Sequence, residues 1–466
     1  MNPTTSELIL FGGEHFDGKL TRFYNDLYRI DLKKDRLSWK KYSSSNAPSP
    51  RSSHQAIITP SQQMFLFGGE FGTSKETKFF HYKDFWQLDL KTYAWEDLTS
   101  IVKPLPSPRS GHRMALWKHL IVMFGGFYDA GAETKYLDDL WLFDTREYMW
   151  TKVDWLNDVN AKPSPRSGFQ LISLESGVIL YGGYNQVKVK GGIYEGQVLS
   201  DMWHLKIDPV DLKKTRWEKR KISNTAAAPL PRSGPCSVAA KNGKSFFLFG
   251  GVQDENLSEE LLNGTCLNDL WEYNSEKGQW RQLQIPKNDP VPRYNASMAL
   301  VGSTALIMGG IFEREDRQYC LDDCHAVNVE KLEKYSCLRN LTVDLETWNG
   351  SDSEDDGSED SDSGDSEDSE SDSEDSDCSS YDESTSSSDS DEGEFYTRPE
   401  SIDSSVPQPF PDQPLKEYFA DNQEFWIEKA REKYNTMSNS KQLRSEAFQL
   451  AQQAYNEFDL HRMLLK

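Results

Sequence analysis

Six short apolar runs, each closed by a pair of glycines, constrain this 466-residue chain more than any other feature. They are LILFGG ending at Gly13, FLFGG at Gly69, IVMFGG at Gly126, ILYGG at Gly183, FFLFGG at Gly251 and LIMGG at Gly310, spaced 56, 57, 57, 68 and 59 residues apart. Self-similarity at a period of this size points to stacked supersecondary units, a propeller or a solenoid, because one unit alone cannot bury its own apolar faces.

The rest of the unit repeats in a fixed order. Behind each glycine pair comes an acidic-aromatic strand: NDLYRID (25–31), KDFWQLD (83–89), DDLWLFD (138–144), SDMWHLK (200–206), NDLWEYN (268–274) and DDCHAVN (322–328). A further strand carries Trp39, Trp95, Trp150, Trp217 and Trp280, with Tyr335 in the sixth place. Ahead of five of the six pairs stands a Pro-Arg start, at Arg51, Arg109, Arg166, Arg232 and Arg293. Apolar runs this short fit strands covered on both faces, as between stacked blades. Glycine after such a run permits positive φ and close approach of a neighbour, and the recurrent indoles are expected to cover that glycine surface. Proline ahead of the first strand stiffens the crossover and turns the preceding residue away from helix. Four antiparallel strands per unit, arranged radially, leave few exposed edges.

This combination of a glycine pair, a downstream Tyr or Trp and a later Trp resembles the kelch repeat. Six units, an acidic serine tract and a helical tail together resemble the kelch domain-containing protein four group, which includes fungal members. The resemblance implies an all-β, six-bladed kelch β-propeller over residues 1–345, with blades at about 6–42, 50–98, 108–153, 165–220, 231–284 and 292–339. Members of that group open with a lysine-rich segment and a Pro-Arg strand ahead of the first glycine pair. Neither is present in this sequence: either its start is truncated or another segment closes the ring, and the first blade is expected to lack one strand and to be the least stable.

Charge is concentrated in one place. Residues 351–394 hold 21 Asp and Glu and no Lys or Arg, which leaves 54 acidic against 52 basic residues elsewhere. The acidity therefore belongs to a local tail, and no nucleic-acid-binding surface is expected. That tract is too charged and too poor in apolar side chains to offset its ordering entropy, so 346–414 reads as a disordered acidic, Ser-rich tract with a Pro-rich linker. Its many Ser-Asp and Ser-Glu pairs suit acidophilic kinases. Residues 415–466 read as a helical tail, with Phe425, Trp426, Leu443, Leu450 and Phe458 as candidate docking residues on amphipathic faces. The six cysteines are scattered and read as reduced thiols. No run approaches the roughly 20 apolar residues of a membrane span, and the N-terminus has no signal-peptide pattern. A cytoplasmic protein, with nuclear entry open, and a monomer is the expectation.

Catalytic patterns are absent from the sequence: there is no HExxH, Walker A, GxGxxG or GxSxG motif. Cys320, Cys324, His325 and Cys337 are the one cluster of ligand-type residues, and their spacing suits opposite faces of a strand better than a zinc site. His54 and His112 follow the Pro-Arg start by three residues, which suits packing. No metal or other cofactor is expected. The five arginines, repeated at one end of equivalent strands, form the candidate partner site: a ring of guanidinium groups suited to an acidic or phosphorylated peptide, or to the chain's own acidic tract. The bland alternative is that each arginine holds its blade together through acidic partners such as Asp26, Asp84 and Asp139. The variable segments after the glycine pairs (70–82, 127–137, 184–199, 252–267 and 311–321) are expected to be loops on the same face. The function expected is that of a non-enzymatic scaffold or adaptor binding a protein or peptide there. The alternatives are a metal-dependent enzyme on the same scaffold and a substrate receptor of a ubiquitin ligase.

Overall fold

A computed structural model describes residues 2–345 apart from 3–4, 17–19, 33–37, 45, 73–78, 130–132, 154–161, 190–193, 222–227, 259–260 and 315–316, and beyond these residue 407, 415–433 and part of 443–455. Residues 346–406, with the acidic tract, and Phe458 lie outside the described residues.

Six antiparallel sheets follow one another along the chain. Blade 3 shows the pattern: Arg113–Trp117 is innermost, then come Leu120–Phe124 and Leu140–Asp144, and Met149–Val153 is outermost. Blades 2, 4, 5 and 6 repeat this order from inner strands Gln55–Ile58, Gln170–Leu174, Cys236–Ala239 and Ser297–Val301. In these five blades the second strand is the apolar run before the glycine pair, sheathed on both faces. Phe65, Val122, Ile179 and Leu248 are accordingly fully buried. Neighbouring inner strands touch one another, which sets the Pro-Arg segments around a central channel.

The seams between blades are built from matched pieces. The aromatic residue just before each glycine pair packs on the Trp of the next blade: Phe11 on Trp95, Phe67 on Trp150, Phe124 on Trp217 and Tyr181 on Trp280, with ring centroids 5.0, 6.0, 5.4 and 5.1 Å apart. The glycine surface itself is covered differently from the sequence expectation. A Cβ on Gly12, Gly68 or Gly125 would meet the next blade's arginine carbonyl at 2.7, 2.6 and 2.7 Å, and then the ring of His54, His112 or Phe169. Two of those rings are the histidines that follow the Pro-Arg start, so the glycine is covered from the first strand of the next blade and the indole from its last.

Among the described residues blade 1 has three strands, Glu7–Phe16, Thr21–Asp31 and Lys40–Tyr42, and no inner one. Its seam with blade 6 is correspondingly thin: among the described residues the apolar cluster there has Leu8, Ile30 and Ala299 buried, with Leu32 and Met308 partly buried against them. Trp39, which precedes the short outer strand, is 40% exposed, whereas Trp150 is 1% exposed. Local opening is easiest where few apolar groups are buried and an edge is unpaired. In hydrogen exchange, amides of Leu8–Phe11 are expected to exchange at least about 100-fold faster than those of Leu120–Phe124. Equal protection of the two strands would contradict this picture of the first blade.

In the tail, helices at Leu415–Asp421 and Gln423–Lys433 pack with residues 443–455 around Tyr418, Trp426, Ala430, Leu443 and Ala447. Every residue of that cluster belongs to the tail. Of the candidate docking residues, Trp426 and Leu443 are thus buried within the tail, and Phe425 and Leu450 are half-buried against the same cluster.

Candidate functional site

The five arginines do not form an open ring. Each is 0% exposed and makes two hydrogen bonds to one aspartate of its own blade: Arg51 to Asp84, Arg109 to Asp139, Arg166 to Asp201, Arg232 to Asp269 and Arg293 to Asp323. For Arg109 these are 2.6 and 2.8 Å long. A third bond runs from the same guanidinium to the carbonyl of the first glycine of the pair, Gly125 at 3.2 Å in blade 3. The aspartate also accepts from the indole two residues on, as Trp141 Nε1 donates to Asp139 at 2.8 Å. His325 takes that place beside Asp323. Burial alone would raise Asp139, Asp201 and Asp323. The hydrogen bonds and attraction of the arginine outweigh it and hold all three below the usual carboxylate range.

The arginine backbone serves the neighbouring blade. Gly13, Gly69, Gly126, Gly183 and Gly251 each donate an N–H to the carbonyl of the next arginine, at 2.8, 2.9, 2.9, 3.3 and 2.8 Å. Every Pro-Arg start is therefore a clamp with its side chain in one blade and its carbonyl in the blade before. The partner site expected at these guanidinium groups is corrected accordingly: a donor fork already filled by a buried carboxylate has nothing to offer a ligand. Arg51 and Asp84, and Arg109 and Asp139, pair as the bland reading had it. Asp26 has no such arginine among the described residues and pairs instead with Lys41 at 2.7 Å.

Where they are described, the segments after the glycine pairs are paired strands, whereas loops were expected. Glu70–Gly72 pairs with Phe79–His81 and Phe127–Asp129 with Thr134–Tyr136, and in blades 4, 5 and 6 the second and third strands run on past the glycines as long hairpins. Together they form a crown around one end of the channel. Exposed apolar side chains stand on it: Phe16, Leu20 and Tyr24 on blade 1, Val187 and Tyr194 on blade 4.

Inside the crown the channel holds a cavity of about 700 Å³ with a polar lining that includes Glu14, Ser53, Gln55, Arg113, Gln170 and Asn295. Arg113 has no ion pair among the described residues, and its Nη1 donates only to the His112 carbonyl at 3.2 Å. Burial against the channel wall lowers its pKa to about 10, which leaves it protonated at neutral pH. At the mouth, Ser52 donates to Glu14 and Ser53 to Glu70, at 2.8 and 2.7 Å. Burial pushes Glu70 up to about 7, beyond what the Ser53 hydrogen bond restores, and Glu14 adds to the rise. His81 lies alongside, Nδ1 to Ser110 Oγ at 2.7 Å, with Nε2 accepting from the Asp129 amide.

Sequence reasoning missed Arg113, the first residue of its strand, because sequence alone does not say which arginines find acids. Among the described residues no group of three or more His, Cys, Asp or Glu side chains is placed to hold a metal ion. Cys324 is buried while Cys320 and Cys337 are exposed.

Six sheets, successive ones joined by five Pro-Arg clamps, define a β-propeller with one decorated face. The family model described as the KLHDC2/KLHL20/DRC7 Kelch-repeats domain matches residues 1–210 and 187–339, and the chain belongs to the kelch-repeat family. It is similar to the leucine-zipper-like transcriptional regulator 1 homolog of Drosophila melanogaster, at 24% identity over 322 residues, covering 67% of this chain and 29% of that protein. It is similar to the host cell factor homolog hcf-1 of Caenorhabditis elegans, at 28% over 206 residues, covering 43% and 23%. Tip elongation aberrant protein 1 of Schizosaccharomyces pombe is 27% identical over 305 residues, covering 56% and 25%. The chain spans less than a third of the length of each of these relatives. The matches place it in the kelch family without singling out the kelch domain-containing protein four group.

Proposed function

We propose that this chain is a non-enzymatic interaction scaffold of the cytoplasm whose crown binds a protein or peptide partner. One observation carries the reading: exposed apolar side chains on the hairpins of blades 1 and 4 stand at the end of the ring where a polar channel opens. Interfaces combine apolar anchors with a few placed polar groups, and hairpins on a rigid ring hold both without an ordering cost on binding. Arg113 supplies a charge-assisted donor, so a partner that lowers an acidic side chain into the channel gains a pairing the protein does not supply to itself.

Proximity labelling with the full chain tests this. Phe16→Asp combined with Val187→Asp is expected to weaken labelling of a discrete partner set at least about tenfold, the loss of one or two apolar anchors. Val210→Asp, at a fully exposed position in the connection between the third and fourth strands of blade 4, is expected to leave that set unchanged. Equal labelling by both variants would remove the crown as the binding surface.

A further inference from the structure

We propose that the outer edge of blade 4 is a binding surface for the chain's own acidic tract, residues 351–394. The outer strand there, Arg216–Arg220, has three basic residues in five and Lys221 behind it, while the outer strands of blades 2, 3, 5 and 6 have at most one each. Over 206–221 the sequence holds seven Lys and Arg against three acids.

Those three acids are already occupied. Asp208 accepts from the amides of Val210 and Asp211, Asp211 caps the turn Leu212–Lys214 and pairs with Lys214 at 3.5 Å, and Glu218 pairs with Arg216 at 3.0 Å. Lys206, Lys213, Arg220 and Lys221 have no ion pair among the described residues. Pairing of the last two strands sets Lys206 opposite Arg216, His204 opposite Glu218 and Met202 opposite Arg220, so three cations share one face with a single carboxylate. Arg220 donates Nη2 to the His204 imidazole, at 2.6 Å, in place of a carboxylate, and its Nε is buried without an acceptor among the described residues. Burial, then Lys206 and Arg220, lower the His204 pKa to about 4, so the ring is neutral there. Burial also lowers Lys206, and the repulsion of Arg220 and Arg216 adds to it. An arriving anion relieves that crowding of like charge.

The tract matches this surface in charge and lies within reach of it. It holds 21 Asp and Glu and no Lys or Arg, and begins twelve residues after Arg339, where the last blade ends. Four strands about 4.8 Å apart around a channel put the outer strands roughly 20 Å from the axis, and those two blades apart roughly 35–40 Å from each other. Twelve residues span up to about 40 Å, and the tract's own length adds to that. A tethered ligand meets its site at an effective concentration on the order of 1 mM. Exposed pairs are individually weak and screened, so the contact rests on their number and weakens with salt. No crown residue takes part, and the crown reading stands or falls separately.

Carbodiimide, which joins amines to carboxylates in direct contact, tests the site on the full chain. Mixing isotope-labelled with unlabelled protein separates links within one copy from links between copies. Per lysine, links from 351–394 to Lys206, Lys213, Lys214, Lys219 and Lys221 are expected to exceed those to the exposed Lys91, Lys118 and Lys331 at least about fivefold at about 20 mM salt, and to lose most of that excess at about 0.5 M. Lys331, nearer the tract along the chain, controls for tethering alone. Lys213→Glu combined with Lys221→Glu, both at exposed positions, is expected to cut the links to Lys214 at least about threefold. Links spread evenly over exposed lysines, links only between copies, or links indifferent to salt and to the double substitution would overturn the proposal.

Discussion

Arg109→Ala is expected to cost about 3–5 kcal/mol of folding stability, read as a lowered urea midpoint by circular dichroism. The substitution removes five hydrogen bonds donated by the side chain, two to Asp139, two to Ser107 (O and Oγ) and one to Gly125 O, from a residue with no exposed surface. It leaves the Asp139 charge to the Trp141 indole and the more distant attraction of Lys152. Against a typical total of about 5–15 kcal/mol, such a loss brings a domain near unfolding. Lys41→Ala is the contrast. Its pair with Asp26 has side chains 53% and 31% exposed, so the change should cost no more than about 1 kcal/mol. A loss under about 1 kcal/mol for Arg109→Ala would mean that the clamps hold nothing.

Acid should report the same clamps. Asp139, Asp201 and Asp323 have depressed pKa values in the folded state, so the unfolded chain binds their protons more readily. Their contribution is fully present above the unfolded aspartate value of about 3.9 and disappears as pH falls through the lower folded values. Wild-type stability is thus expected to decline steeply below about pH 4, and the Arg109→Ala variant to decline less, having already lost one clamp.

Gly125→Ala is expected to cost about 2–5 kcal/mol, and Gly309→Ala, at the equivalent place in blade 6, only about 1–2. Both glycines have positive φ, +67° and +58°, and share the backbone penalty of a side chain in that region. They differ in what lies above them. A Cβ on Gly125 would stand 2.7 Å from Arg166 O and 3.0 Å from the Phe169 ring, so the seam between blades 3 and 4 must open to admit it. Gly309 faces the blade without a Pro-Arg start, and its nearest contact is Leu321 O at 3.1 Å. Thermal unfolding of the two variants reads the difference directly. Equal costs would show that backbone conformation alone, and not the neighbouring arginine carbonyl, requires glycine there.

Much of the architecture was legible because the signals were local and repeated. The glycine pair, the acidic-aromatic strand and the Trp strand each follow from backbone sterics or strand alternation within a few residues, and their register around the ring follows from counting. The missing fourth strand of blade 1 was legible for the same reason, since a pattern met five times makes its sixth absence visible. The clamps were only half legible. Arg109 and Asp139 lie 30 residues apart, and nothing local distinguishes an arginine facing solvent from one buried on a carboxylate. The hairpin crown was missed because its polar segments lack the apolar alternation that marks a half-buried strand, and they pair only because a rigid sheet below them sets their register.

Sequence by itself determined the number of blades, their order and the place where one strand is wanting, because steric and periodic rules act over short stretches of chain. Tertiary structure alone decided that the rim arginines are spent inside the ring and that Arg113 is left without an acid among the described residues. Each of these depends on which groups meet across distant segments, and the electrostatic and packing energies that choose between them exist only once the ring has closed.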